Sequence, residues 1–420
     1  MTDVAIIADD LTGAMEAAAM FLPCADRIDV ALGVSEARRA IEAPADGVAV
    51  IAVDTDSRSC DPREAATITA AAWDALREAR IVVKKVDSLL RGNIASEITA
   101  LFAMQPRLIV CTALPAAGRH VRGGVPLVDG VPLDQTALWG AESRMPPAGV
   151  AETLGTVPAA SVTLDTVRSP DLRAHLQQIF ERGEIAVCDA ESDTDLDAIV
   201  DVARAMSDVV LVGSSAVCSA LARRMPPANA QHARMQPVAD LEGVLAIIGS
   251  AAPAVQEQLA ALDPSSAQLR LHHVDDLLAS EPPSEPPNAG ERRRTIDQDR
   301  AYVFALSPAS PTRIDRGEAV VDALVSHALR AIPHPAGLIL SGGQTARAVL
   351  DLLDERVVRP IDQTGHGEVL SVSSTTGRVV ATRPGSFGDR DSLSTLVDAV
   401  LSQVSTMSRS SSRQPIKERQ

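Results

Sequence analysis

Residues 81–94, IVVKKVDSLLRGNI, constrain this chain more than any other stretch. They open as an apolar, β-branched run (Ile81, Val82, Val83), the signature of a buried strand. Lys84, Lys85, Asp87, Ser88, Arg91 and Asn93 follow at once, with Gly92 permitting a tight bend. The chain carries 39 lysines and arginines, yet only three are lysines: Lys84, Lys85 and Lys417. An arginine-rich chain that keeps two adjacent lysines at a strand end is using a compact ammonium where a planar fork will not serve. A solvated basic turn is the plainer alternative. An anion site, with ammonium and guanidinium groups around a carboxylate or phosphate, accounts for the lysine usage and is preferred.

A length of 420 residues suggests two domains with ample chain for a core. Aromatic residues make up only 2%, so that core must be aliphatic. A net charge of −16 argues against nucleic acid as a partner, because a phosphate backbone needs a basic surface. A small anion remains compatible, since a local cationic pocket can sit inside an acidic protein. The five cysteines (Cys24, Cys60, Cys111, Cys188, Cys218) are widely spaced with no CxxC pair, which predicts reduced, mostly buried thiols. The N-terminus lacks the basic region of a signal peptide, and no apolar run reaches the roughly 18 residues of a membrane span. A cytoplasmic protein with no membrane partner is expected.

From the start, VAIIA (residues 4–8) reads as a strand, followed by Asp9, Asp10 and an Ala-rich helix that Asp10 or Thr12 can cap. One aspartate is expected to cap and the other to work, with Asp10 assigned the work. Further buried strands are predicted at 48–53, 81–83, 107–112, 161–164, 185–188 and 209–212, the first leading into Asp54, Asp56, Ser57 and Arg58. Strand ends that repeatedly carry charge are the pattern of a doubly wound α/β sheet with a site along one edge. The Gly/Pro-rich stretch 118–136 reads as a loop or small hairpin. Its Arg119 and Arg122 suit an anion site and an ordinary surface equally well. The acidic run 189–197 reads as a helix N-terminus favoured by the dipole.

A linker is predicted at 225–238, an exposed insertion at 279–300 and a flexible tail from about residue 403. Between linker and tail, strands at 244–248, 302–306 and 337–340 alternate with helices, including one over 314–331. Three glycine-containing turns fall in this half: Gly249–Ser250, Ser341–Gly342–Gly343–Gln344–Thr345, and the stretch around Gly385. Glycines let the backbone approach a ligand, and free N–H groups at a helix start attract phosphate. There is no GxxxxGK[ST], and no GxGxxG follows a strand, which excludes the P-loop and dinucleotide-oxidoreductase patterns.

The stretches ADDLTGA (8–14), DSR (56–58), KKVDSLLRGN (84–93), GGQTA (342–346) and PGSFG (384–388) stand in the order of the four-carbon acid sugar kinase family, and the chain resembles it over nearly its whole length. The resemblance implies two doubly wound α/β domains with the active site in the cleft between them. Residues 1–228 would bind the acid sugar, 239–402 the nucleotide, and 403–420 would form the tail. It implies ATP-dependent phosphorylation of the terminal hydroxyl of threonate, erythronate or 3-oxo-tetronate, with Mg²⁺ accompanying ATP. The sugar acid would be held by Asp9, Asp10, Arg58, Lys84, Lys85, Asp87, Ser88, Arg91 and Asn93, with Asp10, Lys85, Asp87 and Arg91 catalytic. ATP would be held by Ser250, Ser341, Gly342, Gly343, Gln344, Thr345 and Gly385. Gln344 stands where the family has aspartate, which keeps open a second reading: a sugar-acid-binding protein with a degraded nucleotide domain. Oligomeric state is left open, with a homodimer admitted.

Overall fold

The computed structural model describes residues 2–44, 47–139, 142, 144–228, 241–250, 253–279, 297–309, 317–385 and 388–411. The chain divides into two compact units, Met1–Gln231 and His232–Gln420. The predicted linker and insertion fall largely outside the described residues, at 229–240 and 280–296.

The first unit is built on parallel strands β1 (Val4–Ala8), β2 (Arg27–Leu32), β3 (Ala49–Asp54), β4 (Ile81–Lys85), β5 (Leu108–Cys111), β9 (Ala159–Val162), β10 (Ile185–Cys188) and β11 (Val210–Gly213). Their spatial order is β2-β3-β1-β4-β11-β5-β10-β9. From β1 the chain goes out to β2, comes back to form β3 between β2 and β1, and then crosses to place β4 on the other side of β1. That reversal is the topological switch point at which open α/β sheets bind ligands. Register then decides which residues meet there. Ala8 lies opposite both Asp54 and Lys85, and Lys85 lies opposite Gly213. The residues that follow β1, β3, β4 and β11 therefore leave the sheet along one edge.

The strands read as continuous apolar runs because both faces of the sheet are covered. Ile6, Ile7, Ile51 and Val83 have no solvent exposure. Each such side chain contributes about 1.5–3 kcal/mol relative to leaving it in water. Helix α1 (Leu11–Ala19) is buried almost all round, which its alanines and Gly13 make possible. The acidic run has the structural role expected of it: Ser192 caps α7 (Asp193–Arg204) and Asp195 closes the capping box. Residues 119–132 form a three-stranded antiparallel sheet, β6 (Arg119–Arg122), β7 (Val125–Val128) and β8 (Val131–Pro132). It is tied down by Asp189, whose carboxylate accepts the N–H groups of Gly123 and Gly124 at 2.7 and 2.8 Å.

The second unit has parallel strands β12 (Val244–Ile248), β13 (Ala267–His272), β14 (Ala301–Leu306), β15 (Gly337–Ser341) and β18 (Val379–Arg383) in the order β13-β14-β12-β15-β18. Antiparallel strands β17 (Glu368–Ser373) and β16 (Val357–Gly365) extend it beyond β18. Ile248 lies opposite Ser341, and Ser341 opposite Arg383, so the three glycine turns emerge side by side.

The expected tail from residue 403 is corrected over residues 403–411, while 412–420 lie outside the described residues. The final helix runs Ser392–Ser411, and Val404 and Met407 are packed in the core of this unit. The sequence there is serine-rich, but Leu393, Leu396, Val397, Val400, Val404 and Met407 recur at helical spacing and supply one apolar face. Gly337 admits the helix: a methyl group there would lie 2.8 Å from Val400 Cγ1. No helix among the described residues is long and apolar enough to cross a membrane.

Candidate functional site

Asp9 and Asp10 follow β1 and meet Arg58, carried on the turn after β3. Arg58 grips Asp9 with both ends of its fork, Nε to Oδ2 at 2.7 Å and Nη2 to Oδ1 at 3.0 Å, and reaches Asp10 Oδ2 through Nη1 at 2.9 Å. Burial works against the guanidinium charge, but Asp10, Asp9 and Asp87 outweigh it and raise the Arg58 pKa well above its ordinary value. Burial likewise disfavours the Asp9 carboxylate, and Arg58 with the two lysines reverses this and lowers its pKa.

The division of labour expected between the two aspartates is corrected. Asp10 is the N-cap of α1, accepting the Gly13 N–H at 3.0 Å. Asp9 is almost fully buried and does no capping. Asp10 remains partly accessible and touches Arg58, so capping does not withdraw it from the cluster.

The two lysines part company. Lys84 is fully buried, 3.0 Å from the equally buried Glu97 of α4 (Ile94–Met104). Glu97 also accepts the Ser57 hydroxyl at 2.5 Å. Lys84 is thus a core residue, and its expected contact with a ligand is corrected to a structural ion pair. Lys85 faces the other way, toward the start of α1, where a methyl group on Gly13 would come within 3.1 Å of its Nζ. It makes no hydrogen bond or ion pair within bonding distance among the described residues, although it lies in the field of Asp9 and Asp87. Lys85 is the ammonium presented to the site.

After β4 the chain turns sharply. Leu90 holds a left-handed φ of 63° and Gly92 a φ of 91°. Asp87 and Arg91 pair through two bonds across this turn, at 2.7 and 3.0 Å. Burial raises the Asp87 pKa, but the hydrogen bonds and charge of Arg91, with Arg58 and Lys85, bring it far below the usual carboxylate range. Asn93 spends its amide on the carbonyls of Ser57 and Cys60, at 2.8 and 2.9 Å. That clamps the β3 turn to the β4 turn, so Asn93 positions the site. Trp139 Nε1 donates to the Leu89 carbonyl at 2.8 Å and steadies the same turn.

Sequence reasoning left Arg119 and Arg122 undivided, and the structure separates them. Arg119 donates to the Ser88 hydroxyl beside Asp87. Arg122 is exposed and pairs with Glu191. The signal lay in Gly118, whose φ of 65° places Arg119 at the first position of β6. Glu16 was not selected as a site residue. It accepts from Ser215, which follows β11, and its charge acts on Arg119.

In the second unit the glycine turns converge. A methyl group on Gly385 would lie 3.4 Å from Ser250 Cβ and 3.7 Å from Gly342 Cα. Gly342 has a φ of 100° and is the N-cap of the helix Gly343–Leu352, with no side chain capping the first turn. Ser341 and Thr345 are nearly fully buried. Thr345 Oγ1 fills the space under Gly249, 2.3 Å from where a methyl would sit. These two side chains shape the cradle from below, while Gln344 is exposed at its edge. Ser386 and Phe387 lie outside the described residues.

The cysteines are free thiols, buried apart from the half-buried Cys60, as their spacing predicted. Burial pushes Cys111 and Cys218 up to about 12, which leaves them inert as nucleophiles.

The first α/β unit thus carries a charged cluster at its switch point and the second a glycine-lined cradle at the carboxyl ends of its strands, the two places where α/β folds commonly take small ligands. Residues 4–221 match the family model of a sugar-binding N-terminal domain, and residues 245–393 that of a nucleotide-binding C-terminal domain. The chain is 32% identical to a D-threonate kinase of Cupriavidus necator over 92% of its own length and 95% of the relative's. It is 27% identical to a D-erythronate kinase of Heliobacterium modesticaldum (96% and 98% covered) and 28% identical to a 3-oxo-tetronate kinase of Methylobacterium radiotolerans (92% and 96%). A crystal structure of a Salmonella typhimurium LT2 protein has the same fold, with a TM-score of 0.72 at 20% identity over 95% of this chain and 98% of that one. This chain belongs to the four-carbon acid sugar kinase family.

Proposed function

We propose that the protein is an ATP-dependent kinase that phosphorylates the terminal hydroxyl of a four-carbon sugar acid: threonate, erythronate or 3-oxo-tetronate. Residues 1–228 would bind the acid and residues 239–402 the nucleotide, in the cytoplasm. The observation that carries this reading is Lys85, an ammonium enclosed against Gly13 with no carboxylate bound to it, at the edge where Asp10, Arg58, Asp87 and Arg91 are already paired. The paired groups form a rigid polar frame, and Lys85 supplies the positive charge that a phosphoryl group in flight requires.

The cradle of Ser250, Gly342 and Gly385 suits a nucleotide, because Gly342 and Gly385 bring bare backbone close together beside Ser250 and the helix that begins at Gly343 has no side-chain cap on its first N–H groups. ATP would be held there with Gly343, Gln344 and Thr345 completing the turn. Mg²⁺ would enter on the phosphates, as it commonly does with one or two protein ligands. Among the described residues no three His, Cys, Asp or Glu side chains gather to hold a metal. The bound Mg²⁺–ATP supplies the phosphoryl group and offsets its charge.

The protein's own groups position the acceptor hydroxyl. Arg91 keeps Asp87 weakly basic, so Asp87 accepts a hydrogen bond from the hydroxyl without removing its proton. Asp10, partly accessible at the end of β1, is the proposed proton acceptor.

Thermal melting of the purified chain with Mg²⁺–ATP, and separately with each tetronate, tests this reading. Stabilisation by ATP and by one tetronate, followed by phosphate transfer between that pair, supports it. A tetronate that stabilises while ATP does not would replace it with the binding-protein reading.

A further inference from the structure

Two buried polar side chains join the three glycine turns of the second unit. Arg383 ends β18, and Gln258 lies on the helix Pro253–Ala260, which follows the Gly249–Ser250 turn. Each is only 1% exposed. Arg383 Nη2 donates to Gln258 Oε1 at 2.8 Å, and Gln258 Nε2 donates to the Gly388 carbonyl at 3.0 Å. A guanidinium only donates and a carbonyl only accepts, so these partners fix which end of the amide faces which. One side chain thereby holds the residue that opens the third turn and the residue that closes it, and fastens both to the helix behind the first turn.

The second turn is tied to the same arginine, because the Gly342 N–H donates to the Arg383 carbonyl at 2.9 Å. Glu368, on the neighbouring strand β17, stands 3.7 Å from Arg383 Nε. Gly388 has a φ of 94°, and a methyl group there would lie 3.1 Å from Arg383 Nη2, so the chain passes close to the guanidinium as the turn ends. Between these anchored ends, Gly385 comes up against Ser250 and Gly342. A buried amide costs free energy unless both its ends are bonded, whereas Val255 and Leu259 of the same helix are plain core residues. The core alone has no need of an amide at this position.

We propose that Gln258 is the positioning residue of the nucleotide cradle: it holds the turns that carry Ser250, Gly342 and Gly385 at the spacing a phosphate chain requires. This rests on the nucleotide reading above. Gln258 acts through Arg383 and Gly388 from within the core. A cradle set in advance spares the nucleotide the cost of ordering the turns as it binds.

Two measurements on the full chain test this: calorimetric titration with Mg²⁺–ATP, and amide exchange without nucleotide in the peptides that carry Gly342 and Gly388. Gln258→Met keeps the side-chain length and removes both bonds. It should weaken ATP binding about tenfold, the scale of one or two lost hydrogen bonds, and speed exchange in both peptides. In turnover, KM for ATP should rise by the same factor while kcat at saturating ATP stays as in wild type. Leu259→Ala removes core packing from the same helix and serves as the stability control. It should lower the urea midpoint and leave ATP affinity unchanged. Wild-type ATP affinity in Gln258→Met overturns the inference, as does an equal loss in Leu259→Ala. A wild type that binds ATP without transferring phosphate removes the kinase reading and leaves the assignment of Gln258 to the ATP comparison. If the wild type binds no ATP, the nucleotide reading fails and exchange alone decides. Unchanged rates in Gln258→Met then overturn the inference, and faster rates support Gln258 as the residue that sets the turns.

Discussion

Lys84 Nζ and Glu97 Oε2 meet at 3.0 Å with both side chains fully shielded from water, while the next residue, Lys85, turns its ammonium to the opposite face of the sheet. Successive strand residues point to opposite sides, so one lysine is built into the core and the other into the site. Lys84→Met should therefore cost about 3–5 kcal/mol, because it leaves the Glu97 charge buried and unpaired. The double change Lys84→Met/Glu97→Leu should recover most of it. A wild-type urea midpoint for the single variant would contradict this account. Lys85→Ala should keep the midpoint and lose turnover by about 100-fold or more.

Gly92 combines a φ of 91° with close packing: a methyl group there would lie 2.9 Å from Asp9 Oδ2. Gly92→Ala should cost about 1–3 kcal/mol of stability in backbone strain. It should also loosen the Arg58 grip on Asp9 and raise KM for the sugar acid. Wild-type kinetics in a correctly folded Gly92→Ala protein would show that the turn tolerates a side chain.

Stability should fall on the acid side. Asp9, Asp87 and Asp195 all titrate below the ordinary aspartate value when folded; burial opposes this in each, and their arginine partners lead the groups that reverse it. Asp195 lies at about 2. A carboxylate with a depressed folded pKa contributes stability that is fully present above its unfolded value, about 3.9, and lost as pH falls through the folded one. Urea midpoints measured from pH 6 to pH 2 should hold steady to about pH 5 and then decline. Asp195→Asn should flatten part of that decline, and an unchanged slope would remove Asp195 from the set.

The glycine cradle makes a separable prediction. Gly385→Val would place branched carbons against Ser250 and Gly342, 3.4 and 3.7 Å from the first added atom. It should raise KM for ATP by about tenfold or more while leaving tetronate binding unchanged. Gln344→Asp should preserve or raise turnover. A large loss in Gln344→Asp would mean that the glutamine has its own task at the cradle's edge.

Much of the first unit was legible because each strand there is a short apolar run with charge at its end. β2 escaped notice, since RIDVAL carries Asp29 in its middle. The structure buries Asp29 and pairs it with Arg27 at 3.0 Å, a tertiary solution that no local pattern announces. In the second unit the antiparallel pair β16 and β17 was missed because serines and a glutamate interrupt it. Ser371 and Ser373 are fully buried there and Glu368 nearly so.

The sequence by itself determined the parallel α/β alternation, the aliphatic core and the residues gathered at the strand ends. These follow from periodicity and from where polar residues can end an apolar run. Only the tertiary structure decided which of those residues face a ligand. Lys84 and Lys85 are chemically identical neighbours, and the helix covering each face of β4 assigns one to Glu97 and the other to the site. Asp9 and Asp10 divide by which of them turns back to the Gly13 N–H. Arg119 and Arg122 divide by hairpin geometry, one leaning on Ser88 and the other on Glu191. Side-chain direction is set by packing between elements far apart in the chain, and composition, spacing and local propensity do not record it.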